Sequence, residues 1–133
     1  MSFEVIDGLR VMEFANPGQL RDRLVNLVLE GKKQATAGLL TEYESEGEPI
    51  EFIGEKLVVI DSENQGVALI EVTNVEVCSF IDVPGEFALA EGEGDLSGDD
   101  FRKSHLAYWS GEGIEILDDT KVVQVYFKLI KKY

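Results

Sequence analysis

Leu9, Val11 and Glu13 alternate with Arg10, Met12 and Phe14, which predicts a short strand with both faces partly covered. Asn16-Pro17 then opens a helix, with Asn16 as N-cap and Pro17 at the first helical position, where its missing N–H has no partner to lose. Leu20, Leu24, Leu27 and Val28 recur on one face of that helix, Arg21, Asp22, Arg23 and Glu30 on the other, and Gly31 ends it. Glu42, Glu44, Glu46 and Glu48 around Tyr43 read as a solvated rim closed by Gly47 and Pro49, the alternative being a charge that repels anions from a neighbouring pocket. Leu57–Ile60 and Val67–Val77 predict a hairpin across the polar turn Ser62–Gly66. Ser97 caps the next helix with Asp100 three residues on, and Phe101, His105, Tyr108 and Trp109 form an aromatic stripe along it up to Gly111 and Gly113. Strict alternation from Lys121 to Ile130 marks the clearest strand. These elements amount to one α+β domain over 1–133, a small curved sheet or barrel with two principal helices.

Charge narrows the partners. The chain carries 26 Asp+Glu against 12 Lys+Arg, a formal net charge of -14. That field repels phosphate backbones at long range, so general DNA or RNA binding is not expected unless the few cations gather in one patch. A small, neutral ligand fits better. The single Cys78 cannot make an internal disulfide and no signal-peptide pattern opens the chain, so a cytoplasmic protein is expected. No apolar run has the length of a membrane span, and one His with one Cys cannot build a structural zinc site. No metal or cofactor is called for.

Two stretches remain that the core pattern does not absorb. Gly31-Lys32-Lys33-Gln34-Ala35-Thr36-Ala37-Gly38 is bounded by glycines and presents a cation, then a hydroxyl flanked by small alanines. A turn can bring Lys33 and Thr36 to one side; a regular strand would separate them. The plainer alternative is a lysine that complements the helix C-terminus and a threonine that forms the turn. If the loop is exposed, substitutions there should cost little stability. The second stretch, Glu91-Gly92-Glu93-Gly94-Asp95, alternates acids with glycines, and an extended conformation would place its three acids on one face. It is not a calcium loop, because counting from Glu91 puts Leu96 where glycine is needed and Arg102 where glutamate is needed. It is not a dinucleotide fingerprint either, since Gly98 follows one residue too late.

Taken together, GKKQATAG after a helix, then LLTEYESEGEP, FALAEGEGDLS and the FRKSHLAYW helix resemble a bacterial ASCH-domain protein, a relative of the PUA-like RNA-binding folds. The likeness runs from about Val11 to Phe127. It implies a PUA-like small mixed β-barrel with two principal outer helices and a cleft where the lysine–threonine loop meets the acidic run. One small bacterial branch of this family hydrolyses 4-N-acetylcytidine to cytidine and acetate with a Lys, a Thr and a distant Glu; by motif these correspond to Lys33, Thr36 and Glu93. The branch has an arginine where Gly38 stands here, so the anchoring contact is expected from Arg102 or His105, with Tyr43 and Glu91 also binding substrate.

Two functions of different class follow. In an amidohydrolase of acylated nucleosides, Thr36 is the nucleophile, and Lys33 is either the base or a charged stabiliser beside Glu93 as base. In a module that binds single-stranded RNA or a modified nucleotide, Lys32, Lys33, Arg102 and Lys103 meet phosphate while Tyr43, Tyr108 or Trp109 stacks on a base. Nuclease activity, which has been reported within the family, belongs with this second class. The placement of those four cations separates the two.

Overall fold

Residues 5–133 are described by the computed structural model, an α+β arrangement of one six-stranded sheet and four α-helices. β1 (Val5–Ile6) and β2 (Leu9–Met12) make a small hairpin, and β2 runs parallel to β4 (Lys56–Ile60) with Val11 opposite Val58. β4 pairs antiparallel with β5 (Gly66–Ser79), as the hairpin reading expects. β5 in turn pairs with β6 (Lys121–Lys132), and β3 (Ala35–Leu39) closes the order β1-β2-β4-β5-β6-β3. Register shifts at Leu69/Ile70 and Val72/Asn74 bend the long β5–β6 ribbon.

Alternation along β6 builds two cores at once. Val123, Val125 and Phe127 join Leu57, Val59 and Ile70 beneath Leu24, Val25 and Val28 of α1 (Gln19–Leu29). On the opposite face Val122 meets Phe80, Phe87, Phe101 and Trp109, contributed by a 3₁₀ turn (Phe80–Asp82), α3 (Gly85–Glu91) and α4 (Gly98–Gly111). The two principal helices, α1 and α4, thus cover opposite faces of one sheet.

Four local expectations change. α1 begins two residues beyond Pro17, with Gly18 as N-cap at φ 145°, and Ser62 from the β4–β5 turn accepts the Gly18 amide at 2.9 Å in place of any contact from Asn16. Arg21, placed by its type on the solvent face, is 2% exposed because its guanidinium donates to the Ala15 and Asp61 carbonyls, whereas Leu20 is exposed. The glutamate rim is a helix, α2 (Leu40–Glu46), stopped by Gly47 in the left-handed conformation. Glu91 is the last residue of α3 and Gly92 its left-handed cap, so the acidic run turns a corner instead of extending. The Ser97 cap is as read: its hydroxyl accepts the Asp100 amide at 3.1 Å while the Asp100 carboxylate accepts the Leu96 amide.

Candidate functional site

The lysine–threonine stretch divides into a loop and a strand. Lys32 and Lys33 fold back over the end of α1, both amides donating to the Leu27 carbonyl. Ala35–Leu39 is the edge strand β3, held by β6 with Thr36 opposite Val125, so Thr36 lies in regular structure and not in a turn. The loop is fastened to the acidic corner: the Gln34 amide donates to the Ala90 carbonyl at 2.7 Å, and Arg23 donates to the Glu93 carbonyl at 3.0 Å. Gly92 is what lets the two segments touch. A Cβ there would stand 2.1 Å from the Lys32 carbonyl oxygen, on a backbone at φ 66° that side chains rarely adopt.

Lys33 is buried beneath this junction, 1% exposed. Its ammonium donates to the Ala35 carbonyl at 2.8 Å and to Glu93 Oε2 at 2.5 Å, lies 3.8 Å from Glu91 Oε2, and faces the Phe14 ring at 5.3 Å from the centroid. Two carboxylates and a carbonyl thus converge on one amine in a dry site. The loop is therefore exposed at Gly31, Lys32 and Gln34 but not at Lys33, so the condition of an exposed loop, on which mild substitutions are expected, is not met at the lysine.

Next along the same wall is His105 on α4, stacked on Phe101 at 3.9 Å between ring centroids. Nε2 faces Glu91 Oε1 at 3.3 Å, and Nδ1 lies 3.0 Å from the Phe101 carbonyl and 3.8 Å from Asp95 Oδ2. Burial alone would lower the imidazole pKa, but the Glu91 carboxylate, the Glu93 charge and the Phe101 carbonyl outweigh it and raise the value. One oxygen each from Glu91 and Asp95 and one ring nitrogen of His105 lie within 4.8 Å of one another, a spacing compatible with a metal ion. The donor set argues otherwise: Asp95 accepts from Ser104 at 2.7 Å and Lys33 already supplies positive charge to Glu91.

These groups open on a cleft of about 690 Å³ between α1, β3, α2 and α4. Thr36, Tyr43, Glu91, Glu93 and His105 all line it. Of the residues singled out in the sequence, Lys33 supports the wall from behind, and Arg102 does not reach the cleft. The Arg102 guanidinium instead donates to the Ile81 and Val83 carbonyls and to Asp99, holding the 3₁₀ turn against α4. An anchoring role for Arg102 is thereby corrected. Gly38 also has a visible purpose: a Cβ there would stand 3.1 Å from the Tyr43 ring, so the missing side chain makes room for that ring. Tyr43 donates to the buried Glu51 at 2.7 Å, and burial together with that carboxylate raises its pKa and keeps the phenol protonated.

Sequence reasoning missed most of the wall. Eight glutamates line the cleft, among them Glu13, Glu42, Glu46, Glu48, Glu51 and Glu112, against Arg10 and His105 as the basic residues. Crowding shows in the acids themselves: burial first, then Glu46 and Glu112, raise Glu42, and burial with Glu51 raises Glu48 against the pull of Arg10. The glutamate spacing that suggested a rim was the available signal; at helical period, Glu42 and Glu46 share a face.

Residues 10–131 match the ASCH domain family. Among solved structures, the chain is similar to an ASCH domain from Lactobacillus crispatus JV V101, 29% identical with a TM-score of 0.79, covering 92% of this chain and 79% of that one. It is similar as well to a protein from Enterococcus faecalis V583, 27% identical with a TM-score of 0.78 over 91% of this chain and 76% of that one. An ASCH protein variant from Zymomonas mobilis, 9% identical, shares the fold at a TM-score of 0.53 over 84% and 69% of the two chains. No curated protein matches significantly. Among the described residues no helix is long and apolar enough to cross a membrane. With its α+β sheet and helices arranged as in those PUA-like structures, the chain belongs to the ASCH domain family.

Proposed function

We propose that the protein is an amidohydrolase of small acylated nucleosides, of the 4-N-acetylcytidine kind, and that the uncharged substrate is selected by the acidic cleft. The observation that carries this is the placement of charge. Eight glutamates line the cleft, while Lys32, Lys33, Arg102 and Lys103 do not. A phosphate entering there would meet concentrated negative potential, and the two basic residues on the wall, Arg10 and His105, already face Glu55 and Glu91. A binding module for single-stranded RNA needs the reverse distribution. The volume falls within the ~300–1,000 Å³ usual for small-molecule sites.

In this reading Thr36 attacks the acyl carbon, and Glu93 takes its proton. Lys33, with no exposed side-chain surface, is a positioning residue that fixes Glu93 and Glu91 at the wall. In this reading the lysine is the stabiliser and not the base. Tyr43 and Tyr108 offer aromatic faces for the nucleobase. The test is incubation with 4-N-acetylcytidine and a panel of acylated nucleosides, resolved by chromatography. Release of the free nucleoside and the carboxylate, abolished in Thr36→Val, is expected; binding of single-stranded RNA without turnover of any acylated nucleoside would replace this reading with the binding module.

A further inference from the structure

The neighbours of His105 prescribe where its hydrogens are. Nδ1 lies 3.0 Å from the Phe101 carbonyl oxygen, which only accepts, and 3.2 Å from the Ser104 hydroxyl, whose own hydrogen goes to Asp95 Oδ2 at 2.7 Å. Nδ1 therefore carries a hydrogen. On the other side, Nε2 faces Glu91 Oε1 at 3.3 Å. That oxygen is buried and has no hydrogen-bond partner, on a side chain 1% exposed. With Nε2 bare, two lone pairs would confront each other at an oxygen that has no other partner. One proton between them converts the conflict into a charge-assisted contact. The charges around the ring agree: Glu91 ends α3 and Glu93 and Asp95 follow it, while of the cations nearby Lys33 sits against Glu93 and the other Glu91 oxygen, Oε2, and Arg23 is held by the Glu93 carbonyl. The ring plane is fixed by Phe101 and by Trp109, 5.2 Å away, while the side chain keeps 13% of its surface on the cleft.

Building on the amidohydrolase reading, we propose that His105 is the proton donor of the cleft, an imidazolium whose Nε2–H, held against Glu91, is delivered to the nitrogen that leaves the acyl group. As the bond from Thr36 Oγ to the acyl carbon forms, the threonine proton passes to Glu93. The C–N bond breaks with its electron pair on nitrogen, which takes the Nε2 proton. Free nucleoside, acylated Thr36 and neutral His105 result. Water then returns a proton to Nε2 as its oxygen attacks the ester, and the Thr36 oxygen departs with the proton held by Glu93, which yields the carboxylic acid. Donation to the leaving amine thus belongs to His105, while Glu93 takes and returns the Thr36 proton; His105 is more than a substrate anchor.

Because the chain has a single histidine, histidine labelled with ¹⁵N and ¹³C reports one imidazole in the full-length protein. An NMR titration of wild type should show a midpoint above the ordinary value of about 6.5, a lower midpoint in Glu91→Gln, and the Nδ1–H tautomer once the proton is lost. A wild-type midpoint at or below ~6.5, or an Nε2–H tautomer, would overturn the proposal. So would broadening by micromolar Mn²⁺ that Glu91→Gln abolishes, which would put a metal ion where the proton is assigned. In kinetics, His105→Gln should lower kcat/KM for an acylated nucleoside by ~100-fold or more, and for p-nitrophenyl acetate, whose leaving group needs no proton, by only a few-fold. Equal losses on both substrates would refute proton donation alone. Wild type inactive on every acylated nucleoside would refute the amidohydrolase reading together with the delivery step, and the titration would still decide the charge on His105.

Discussion

Two buried or half-buried cations are ringed by glutamates at opposite ends of the cleft, and they differ in what they leave over. At the outer end Arg10 donates to both Glu55 oxygens at 3.0 and 2.8 Å and to the Pro49 carbonyl at 2.7 Å, with Glu48 at 3.6 Å. The donors are matched and the carboxylate is gripped in a fork, an arrangement that ties the β4 entry to β2. At the inner end Lys33 has no exposed side-chain surface, and Glu93 turns partly toward the cleft while Glu91 keeps one oxygen without a hydrogen bond. Matched bonds make a brace. Unmatched capacity next to an open cleft makes chemistry possible, and on that contrast the proposed chemistry belongs at the inner end.

The largest effect should come from removing the inner cation. Lys33→Met strands Glu93 without a counter-charge, leaves Glu91 with His105 alone, and should cost about 3–5 kcal/mol in urea unfolding, with activity lost. Arg10→Met removes a less buried fork and should cost ~1.5–3 kcal/mol while turnover per folded molecule survives. If the two losses were equal in both stability and activity, the contrast between brace and site would fail.

Gly92→Ala probes the junction itself. The methyl group would press on the Lys32 carbonyl from a left-handed backbone, so a loss beyond ~1 kcal/mol is expected, with a fall in activity as the loop and the acidic corner part. A neutral thermal shift would mean that the close approach is not required.

Thr36 should separate chemistry from stability. Thr36→Val keeps the shape on a strand that favours β-branching and should unfold within about 0.5 kcal/mol of wild type, yet be inactive; Thr36→Ser should keep part of the activity. Equal turnover by wild type and Thr36→Val would exclude a threonine nucleophile.

The smallest expected effect is the pH dependence of stability. The folded pKa of His105 is raised, so the native state binds this proton more tightly than the unfolded chain does. Its contribution is complete below the unfolded value near ~6.5 and fades as pH climbs through the folded value. Melting curves of wild type and Glu91→Gln should therefore diverge most below that window and converge above it; a gap that widened with pH would reverse the assigned sign.

Much of the framework was legible because its causes are local. Alternation placed β6, the Ser97–Asp100 cap placed α4, and the leucine spacing placed α1. The short helices α2 and α3 were missed because seven residues give too little period to separate a helix from a glutamate-rich turn, although Gly47 and Gly92 were their stop signals. The strand containing Thr36 is made of small residues with weak strand preference, and only its pairing with β6, remote in sequence, fixes it. Burial of Lys33 was invisible for a related reason: its counter-charge Glu93 lies 60 residues away. Candidate residues could be named from the motifs, but which of them line the cleft and which stand behind depended on long-range packing. Arg102 shows the same limit, since its carbonyl partners are 19 and 21 residues distant.

The central claim, that the acidic cleft selects an uncharged acylated nucleoside for hydrolysis, is tested most directly by comparing kcat/KM for 4-N-acetylcytidine and for its 5′-monophosphate at low salt. The account predicts turnover of the nucleoside and a value lower by about tenfold or more for the nucleotide, with the gap shrinking as salt is added. Equal or faster turnover of the phosphorylated form, or no turnover of either, would contradict it.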